Sequence, residues 1–310
     1  MTEVLAHLPQ LSQLSRRVWR VLGLNPGKFT LQGTNTYLLG AGPKKILLDC
    51  GEGKSEYVKL LESSLQETHP EAYISDIIIS HGHADHWGGL EDILNSKTLN
   101  RDIQVHKFPL PQGNHIDHME KFPKHLQVKS LYDNQVFHAD DTTLKVIYTP
   151  GHTADHCTFW LEEEKSVFTA DCVLGQGTAV FEDLTSYLAG LQKLVDLNPD
   201  KLYPGHGPVI EQGVSKLKEY ISHRLERERQ VLDLIKTRHE GLTPLEIVQV
   251  LYKNYPESLH IPAARGIVLH LQKLKQDGQV MPSQEHAFTS DNYPKILNIT
   301  WTWVQPRNNL

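Results

Sequence analysis

The stretch Asp76-Ile77-Ile78-Ile79-Ser80-His81-Gly82-His83-Ala84-Asp85-His86 decides how this chain is read. Three consecutive isoleucines break the polar/apolar alternation of a half-exposed strand and predict a strand buried on both faces. Three histidines and an aspartate follow it within six residues. His81 and His83 are two apart, so an extended or tightly turned backbone can aim both imidazoles at one point. Asp85 and His86 lie past the turn and can face a neighbouring point. A single histidine on a strand is usually structural, but this density of donors predicts a transition-metal site.

Six residues cannot complete two tetrahedral shells that each keep a place for water. The rest of the chain offers three further donors, each in a loop at a strand end. His152 sits in Thr149-Pro150-Gly151-His152-Thr153, Asp171 follows Val167-Phe168-Thr169, and His206 sits in Pro204-Gly205-His206-Gly207-Pro208. Proline and glycine beside a histidine let the backbone turn sharply and are expected to expose the ring. The chain has 18 histidines. Four of them, His106, His115, His118 and His125, fall without regular spacing in residues 97–135. That region reads as a variable loop and the four as surface residues.

Outward from the cluster, strands are expected at Val18–Leu22, Thr34–Leu39 and Lys45–Asp49, the last two as an antiparallel hairpin around Gly40-Ala41-Gly42-Pro43. Further strands are expected at Thr143–Tyr148, Cys157–Leu161, Ser166–Thr169 and Lys201–Tyr203. Helices are expected at Ser55–Thr68, Gly88–Asn95 and Leu184–Leu197. After Gly213 the character changes. A long charged helix, Ser215–His239, precedes Pro244–Tyr255, capped by Thr243, and a third helix from about Ala263 to Gln276. A strand around Ile299–Val304 closes the chain. This pattern predicts a catalytic domain over 1–213 and a winged-helix-like appendix over 214–310.

Composition bounds the class. The 310 residues are 39% hydrophobic and 22% charged, as in a globular protein, with a formal net charge of −6. No global basic field exists, so a nucleic-acid partner would need a local patch. Residues 214–280 hold 11 Lys/Arg against 8 Asp/Glu, so positive charge collects there. Cys50, Cys157 and Cys172 fit no zinc-finger spacing and read as reduced core thiols of an intracellular protein. No apolar run is long enough to span a membrane. The N-terminus, with Glu3 as its one acid and arginines near its end, has the makings of a weak transit signal but reads better as a lead-in docked on the first strand.

The order HxHxDH, PGHT, an aspartate after a strand, then PGHG resembles the metallo-β-lactamase superfamily over roughly residues 16–213. Asn25–Leu39 (NPGKFTLQGTNTYLL) and the C-terminal helices more narrowly resemble the β-lactamase-like protein 2 group. Animal members of that group are zinc-dependent endoribonucleases of mitochondria, and fungal relatives include thioesterases that release polyketides from an acyl carrier. The resemblance implies an αββα sandwich (an α/β fold) with two zinc ions at one edge. It assigns His81, His83 and His152 to the first ion, Asp85, His86 and His206 to the second, and Asp171 to both. It places Asp49 behind the ligands, orienting them without touching metal. The implied compartment is the mitochondrial matrix or the cytoplasm.

The expected chemistry is hydrolysis by a metal-bound hydroxide, because two adjacent cations sharing a water lower its pKa toward about 7. Asp85 is expected to orient that nucleophile, and Asn35 is a candidate substrate contact. The first reading is an endoribonuclease acting on single-stranded RNA, with Lys216, Lys218, Arg224, Arg227 and Arg229 as phosphate contacts. The second is a thioesterase acting on an acyl-thioester, with apolar residues of 97–135 lining its pocket. A third, a binding protein with structural metal, fits poorly, because structural zinc sites are closed four-ligand sets rich in cysteine. Histidine and carboxylate donors also suit manganese or iron. The sequence carries no signal for oligomeric state.

Overall fold

The computed structural model describes residues 4–99, 102–114, 117–285 and 293–305. The chain separates into two compact units, Met1–Lys218 and Glu219–Leu310.

Unit 1 holds two sheets. Strands β1 (Leu11–Gln13), β2 (Val18–Leu22), β3 (Asn35–Leu39), β4 (Lys44–Leu48), β5 (Tyr73–Ile79), β6 (Gln104–Lys107) and β7 (Val128–Ser130) form one sheet of seven in that order. Its first four strands pair antiparallel and β4 to β7 pair parallel. The parallel half requires crossovers. These are α1 (Tyr57–Thr68) between β4 and β5, then α2 (Ala84–Trp87) and α3 (Leu90–Asn95) between β5 and β6. Strands β8 (Val136–Ala139), β9 (Thr142–Tyr148), β10 (Cys157–Leu161), β11 (Ser166–Ala170) and β12 (Lys201–Pro204) form the second sheet, in the order β12-β11-β10-β9-β8. Its one parallel pair, β11 with β12, is connected through α4 (Leu184–Asp196).

Period-two alternation sorts the side chains into layers. Tyr37, Leu39, Ile46, Leu48 and Ile78 face Leu144, Val146, Phe159, Phe168 and Tyr203 between the sheets. Their neighbours Leu38, Leu47, Ile77 and Ile79 point the other way, onto Tyr57, Leu61 and Leu65 of α1 and Leu90 and Ile93 of α3. The isoleucine triplet is therefore buried on both faces. Helix α4 buries Leu184, Tyr187, Leu191 and Leu194, and its Gly190 lies against Thr149 at the end of β9. The result is an αββα sandwich.

Residues 97–135 are not one loop. They contain β6 and β7, and His106 on β6 is 6% exposed. Its Nε2 lies 2.9 Å from Asp76 Oδ1 and its ring packs edge-on to Phe137. A carboxylate partner on the adjacent strand engages Nε2, while Nδ1 is buried without a hydrogen bond. His125 is exposed and lies 3.2 Å from Glu91. His115 and the side chain of His118 fall outside the described residues. The N-terminal segment supplies β1, in register with β2.

In unit 2, the end of α5 (Gly213–Lys236), α6 (Pro244–Leu251) and α7 (His260–Gln276) precede β13 (Val280–Pro282), α8 (Tyr293–Ile296) and β14 (Trp301–Trp303). Strands β13 and β14 pair antiparallel as a wing. Val231, Ile235, Ile247, Val248, Ile267, Leu271 and Trp301 share one core. Thr243 and Glu246 cap α6 reciprocally. The helix ends at Leu251, short of the expected Tyr255, because Tyr252 leaves the helical backbone region (φ −115°, ψ 22°). Among the described residues no helix is long and apolar enough to cross a membrane.

Candidate metal centre

Four loops at one edge of the sandwich bring the donors together. The segment after β5 and the short helix α2 carry His81, His83, Asp85 and His86; the turns after β9, β11 and β12 carry His152, Asp171 and His206. His81, His83, His152 and Asp171 form one group that could hold a metal ion; Asp85, His86 and His206 form another. In the first, His83 Nδ1 lies 3.0 Å from His81 Nε2 and 3.0 Å from His152 Nε2. In the second, Asp85 Oδ2 is 3.3 Å from His86 Nε2 and 3.2 Å from His206 Nε2. Asp171 faces both: its Oδ1 is 3.3 Å from His86 Nε2 and from His206 Nε2, and its Oδ2 is 3.7 Å from His152 Nε2.

These spacings fit cations. Donor atoms arranged tetrahedrally at zinc distances lie about 3.3 Å apart. His86 Nε2 and Asp171 Oδ1 are buried and make no hydrogen bond, a costly arrangement unless another charge meets them. The opposite ring nitrogens are held by acceptors. His86 Nδ1 donates to Asp49 Oδ2 at 2.8 Å, His81 Nδ1 to Ser80 Oγ at 3.0 Å, and His152 Nδ1 to the Val180 carbonyl at 2.9 Å. That tautomer leaves each Nε2 lone pair turned into the cluster. The donor set is nitrogen and oxygen only. The three cysteines are buried and belong to neither group.

Electrostatics divides the groups. Burial pushes His81 well below its ordinary value, and the rings of His86, His83 and His152 push it further. Burial brings His83 and His152 to about 4 each. These rings stay neutral and keep their lone pairs. Burial also opposes charge on His86, but Asp85, Asp171 and Asp49 outweigh it and hold that ring well above its ordinary value. Asp171 does the same for His206, raising it to about 9. Burial disfavours ionised Asp85 and Asp171, yet His86 beside Asp85, and His206 with His86 beside Asp171, keep both carboxylates below their usual range. The carboxylates demand positive charge, which protons or a divalent cation can supply.

The local backbone explains the motif residues. Asp49, just past β4, adopts φ +60°, a conformation aspartate tolerates. From there Oδ1 accepts from the Ser80 backbone N–H and Oδ2 from Ser80 Oγ, each at 2.8 Å. A Cβ on Gly205 would sit 2.5 Å from Asp171 Oδ1, and Gly151 adopts φ +132°. The glycines thus let loops approach closely; they do not expose the histidines, because His152 and His206 are each 2% exposed. Asn35 is 1% exposed and donates from Nδ2 to the Pro204 and Gly207 carbonyls, both at 2.8 Å. It fastens β3 to the loop of His206.

Sequence reasoning missed several supports. Thr34 Oγ1 donates to Asp85 Oδ2 at 3.0 Å and accepts from buried Asn25. Asp155 and His156 lie in the same TADH stretch as Thr153, the one local signal that could have flagged them. His156 is fully buried, its ring centre 5.3 Å from that of His81 and 5.5 Å from that of His152. Burial lowers it to about 4.

A cavity of about 450 Å³ opens over the cluster. His83, Asp85, His152, Asp171 and His206 are in its walls, with Phe29, Leu31, Leu174, Ala179 and Val180 as its larger apolar surface and Lys28 and Glu52 as charged residues beyond the cluster. The cations expected on α5 are partly engaged within unit 2: Arg229 pairs with Glu226 at 2.7 Å and Arg227 lies over the Tyr252 ring at 4.4 Å.

The metallo-beta-lactamase superfamily description matches residues 29–206, and that of the beta-lactamase associated winged helix domain matches residues 243–286. A Caenorhabditis elegans protein named Beta-lactamase-like protein 2 homolog is 43% identical, over 89% of this chain and 90% of its own length. An Aspergillus fumigatus protein named Atrochrysone carboxyl ACP thioesterase is 34% identical, over 91% of this chain and 90% of its own. The crystal structure of a beta-lactamase domain protein from Burkholderia ambifaria superposes with a TM-score of 0.75, covering 95% of this chain and 93% of that one at 16% identity, a likeness of fold alone.

Proposed function

This chain belongs to the metallo-β-lactamase superfamily of hydrolases, and from that premise we propose that it is a two-metal endoribonuclease acting on single-stranded RNA. One observation carries the two-metal reading: the two oxygens of Asp171 face different donor groups. His81, His83 and His152 with Asp171 Oδ2 would hold one divalent cation. Asp85, His86 and His206 with Asp171 Oδ1 would hold the other. Zinc suits the set, and manganese or iron also take nitrogen and oxygen donors. Such a pair supplies water activated at neutral pH and takes up the negative charge that develops on a phosphoryl or carbonyl oxygen.

The chain's own residues do the rest. Asp85 lies in the cavity wall with Oδ2 fixed by Thr34, and it orients the attacking water. Asp49 and the Val180 carbonyl hold the rings of His86 and His152 in the ligating tautomer. Asn35 keeps the His206 loop in place. The apolar wall thins water around the reacting bond. Lys28 at the cavity and the basic surplus of 214–280 favour an anionic substrate.

The apolar share of that wall also favours a second reading, hydrolysis of an acyl-thioester, in keeping with the name of the Aspergillus relative. The experiment is a substrate panel on the full, metal-loaded chain. A single-stranded RNA oligonucleotide and an acyl-pantetheine thioester are each incubated with and without chelator. Internal RNA cleavage that chelator abolishes is expected. Turnover of the thioester alone would replace the first reading with the second, and turnover of neither would leave the metals a structural role.

A further inference from the structure

Two large apolar side chains stand exposed at the mouth of the metal cavity, on separate loops. Phe29 is 73% exposed and Val180 is 60% exposed, and both line that cavity. Neither contributes to the core, and exposed apolar surface beside a reaction centre points to a ligand.

Both loops are fixed in place. In the first, the Gly27 N–H donates to the Leu31 carbonyl at 3.1 Å, Thr30 Oγ1 to the Asn25 carbonyl at 2.6 Å, and the Gly33 N–H to the Thr30 carbonyl at 2.8 Å. Asn25, 4% exposed, holds Thr34 through both its backbone and its hydroxyl, and Thr34 holds Asp85. In the second, the Val180 carbonyl accepts from His152, and the Gly175 N–H donates to the His206 carbonyl at 2.8 Å. Each loop is therefore tied to proposed metal ligands. A group gripped at the mouth would be held in fixed register with the reacting bond.

We propose that Phe29 and Val180 form the two sides of a nucleobase subsite, with Lys28 meeting the adjoining phosphate, so that the site selects RNA whose base beside the scissile bond is unpaired. This rests on the endoribonuclease reading above and names what that site recognises. The Lys28 ammonium lies 5.6 Å from the Phe29 ring centre. An aromatic face next to a cation complements a nucleotide, which offers a π-face and an anion together. An acyl chain would use the apolar area but neither the aromatic face nor the charge. A base inside a duplex is already stacked on both sides and cannot enter between the walls.

The test uses the full, metal-loaded chain and RNA decamers with one cleavage position. An abasic residue is placed at each position in turn, and KM and kcat are measured for the wild type, F29L, F29A and F29W. One abasic position is expected to raise the wild-type KM about tenfold, the order of a single base–aromatic stack, with a smaller change in kcat. F29L and F29A raise KM by a similar factor and become insensitive to that abasic position. F29W, which keeps an aromatic face, recovers most of the loss. A duplex of the same sequence is not cleaved. The subsite is overturned if RNA is cleaved but F29L matches the wild type, or if abasic substitution costs the same in wild type and F29A. If the wild type cleaves no RNA, the endoribonuclease reading falls and the subsite falls with it.

Discussion

Lys107 at the end of β6 and Asp155 in the turn after His152 form a buried ion pair, their side chains 5% and 0% exposed. The free oxygen of Asp155 accepts from Thr153 Oγ1 at 2.7 Å and from the Gly82 N–H at 3.3 Å. Gly82 separates His81 from His83, and Thr153 follows His152. One carboxylate therefore anchors two ligand-bearing segments, and Lys107 compensates its charge. Lys107→Met is expected to destabilise unit 1 by about 3–5 kcal/mol, because it strands a buried carboxylate. The double change Lys107→Met with Asp155→Leu should regain much of that stability in a denaturant melt. It should still lose metal to a competing chelator about 10–100-fold more readily than the wild type. A double variant that keeps metal as tightly as the wild type would refute the anchoring role.

Metal loading should follow the division of donors. The wild type is expected to bind two divalent cations per chain. His83→Ala removes a nitrogen from one group only, so elemental analysis should show close to one cation retained. Hydrolysis should fall by at least about 100-fold. Chelator should abolish activity of the wild type, and added zinc should restore it. Two tightly bound cations in His83→Ala would contradict the grouping.

Asp49 offers a finer probe, because asparagine tolerates its left-handed backbone. Asp49→Asn preserves shape, but one amide cannot accept from Ser80 twice and from His86 as well. The fold should persist by circular dichroism while metal affinity falls about 10–100-fold in a competition titration. Affinity equal to that of the wild type would show that Asp49 does not orient His86.

His270 in α7 is 3% exposed. Burial first, then Arg224, Arg227, Lys273 and His223, push it down to about 3 from an ordinary 6.5. Between those values the unfolded chain binds a proton that the folded chain does not. The neutral ring's contribution to stability is therefore complete above pH 6.5 and is lost as pH falls toward about 3. The loss is at most about 1.4 kcal/mol per pH unit. His270→Leu should flatten that part of the profile when melting is followed from pH 7 to pH 5. Parallel profiles for variant and wild type would refute it.

Much of this was legible in local sequence. The HxHxDH run after the isoleucine triplet and the two PGH turns located six donors, and the end of the strand Val167–Thr169 located the seventh, Asp171, because local backbone geometry is set by neighbouring residues. Apolar runs bounded by Gly, Pro and Asn turn residues located β2 to β4 and β9 to β12, and the unbroken isoleucine triplet located β5. The strands of 97–135 were missed. Short edge strands such as β7 carry too few residues for a pattern, and His106 looked like a surface group until β5 brought Asp76 beside it.

Residue spacing left open which donors face which; the family resemblance implied a grouping, and the tertiary structure brings those donors together. Asp171 meets His86 and His206 across 85 and 35 residues of chain only because β11 runs beside β12 in one sheet while β5 belongs to the other. The contacts of Asp155, and the meeting of Phe29 and Val180 at the cavity, likewise depend on loops far apart in sequence. Sequence fixes the chemistry a side chain can perform. Its partners are fixed by the packing of distant strands, which no local pattern records.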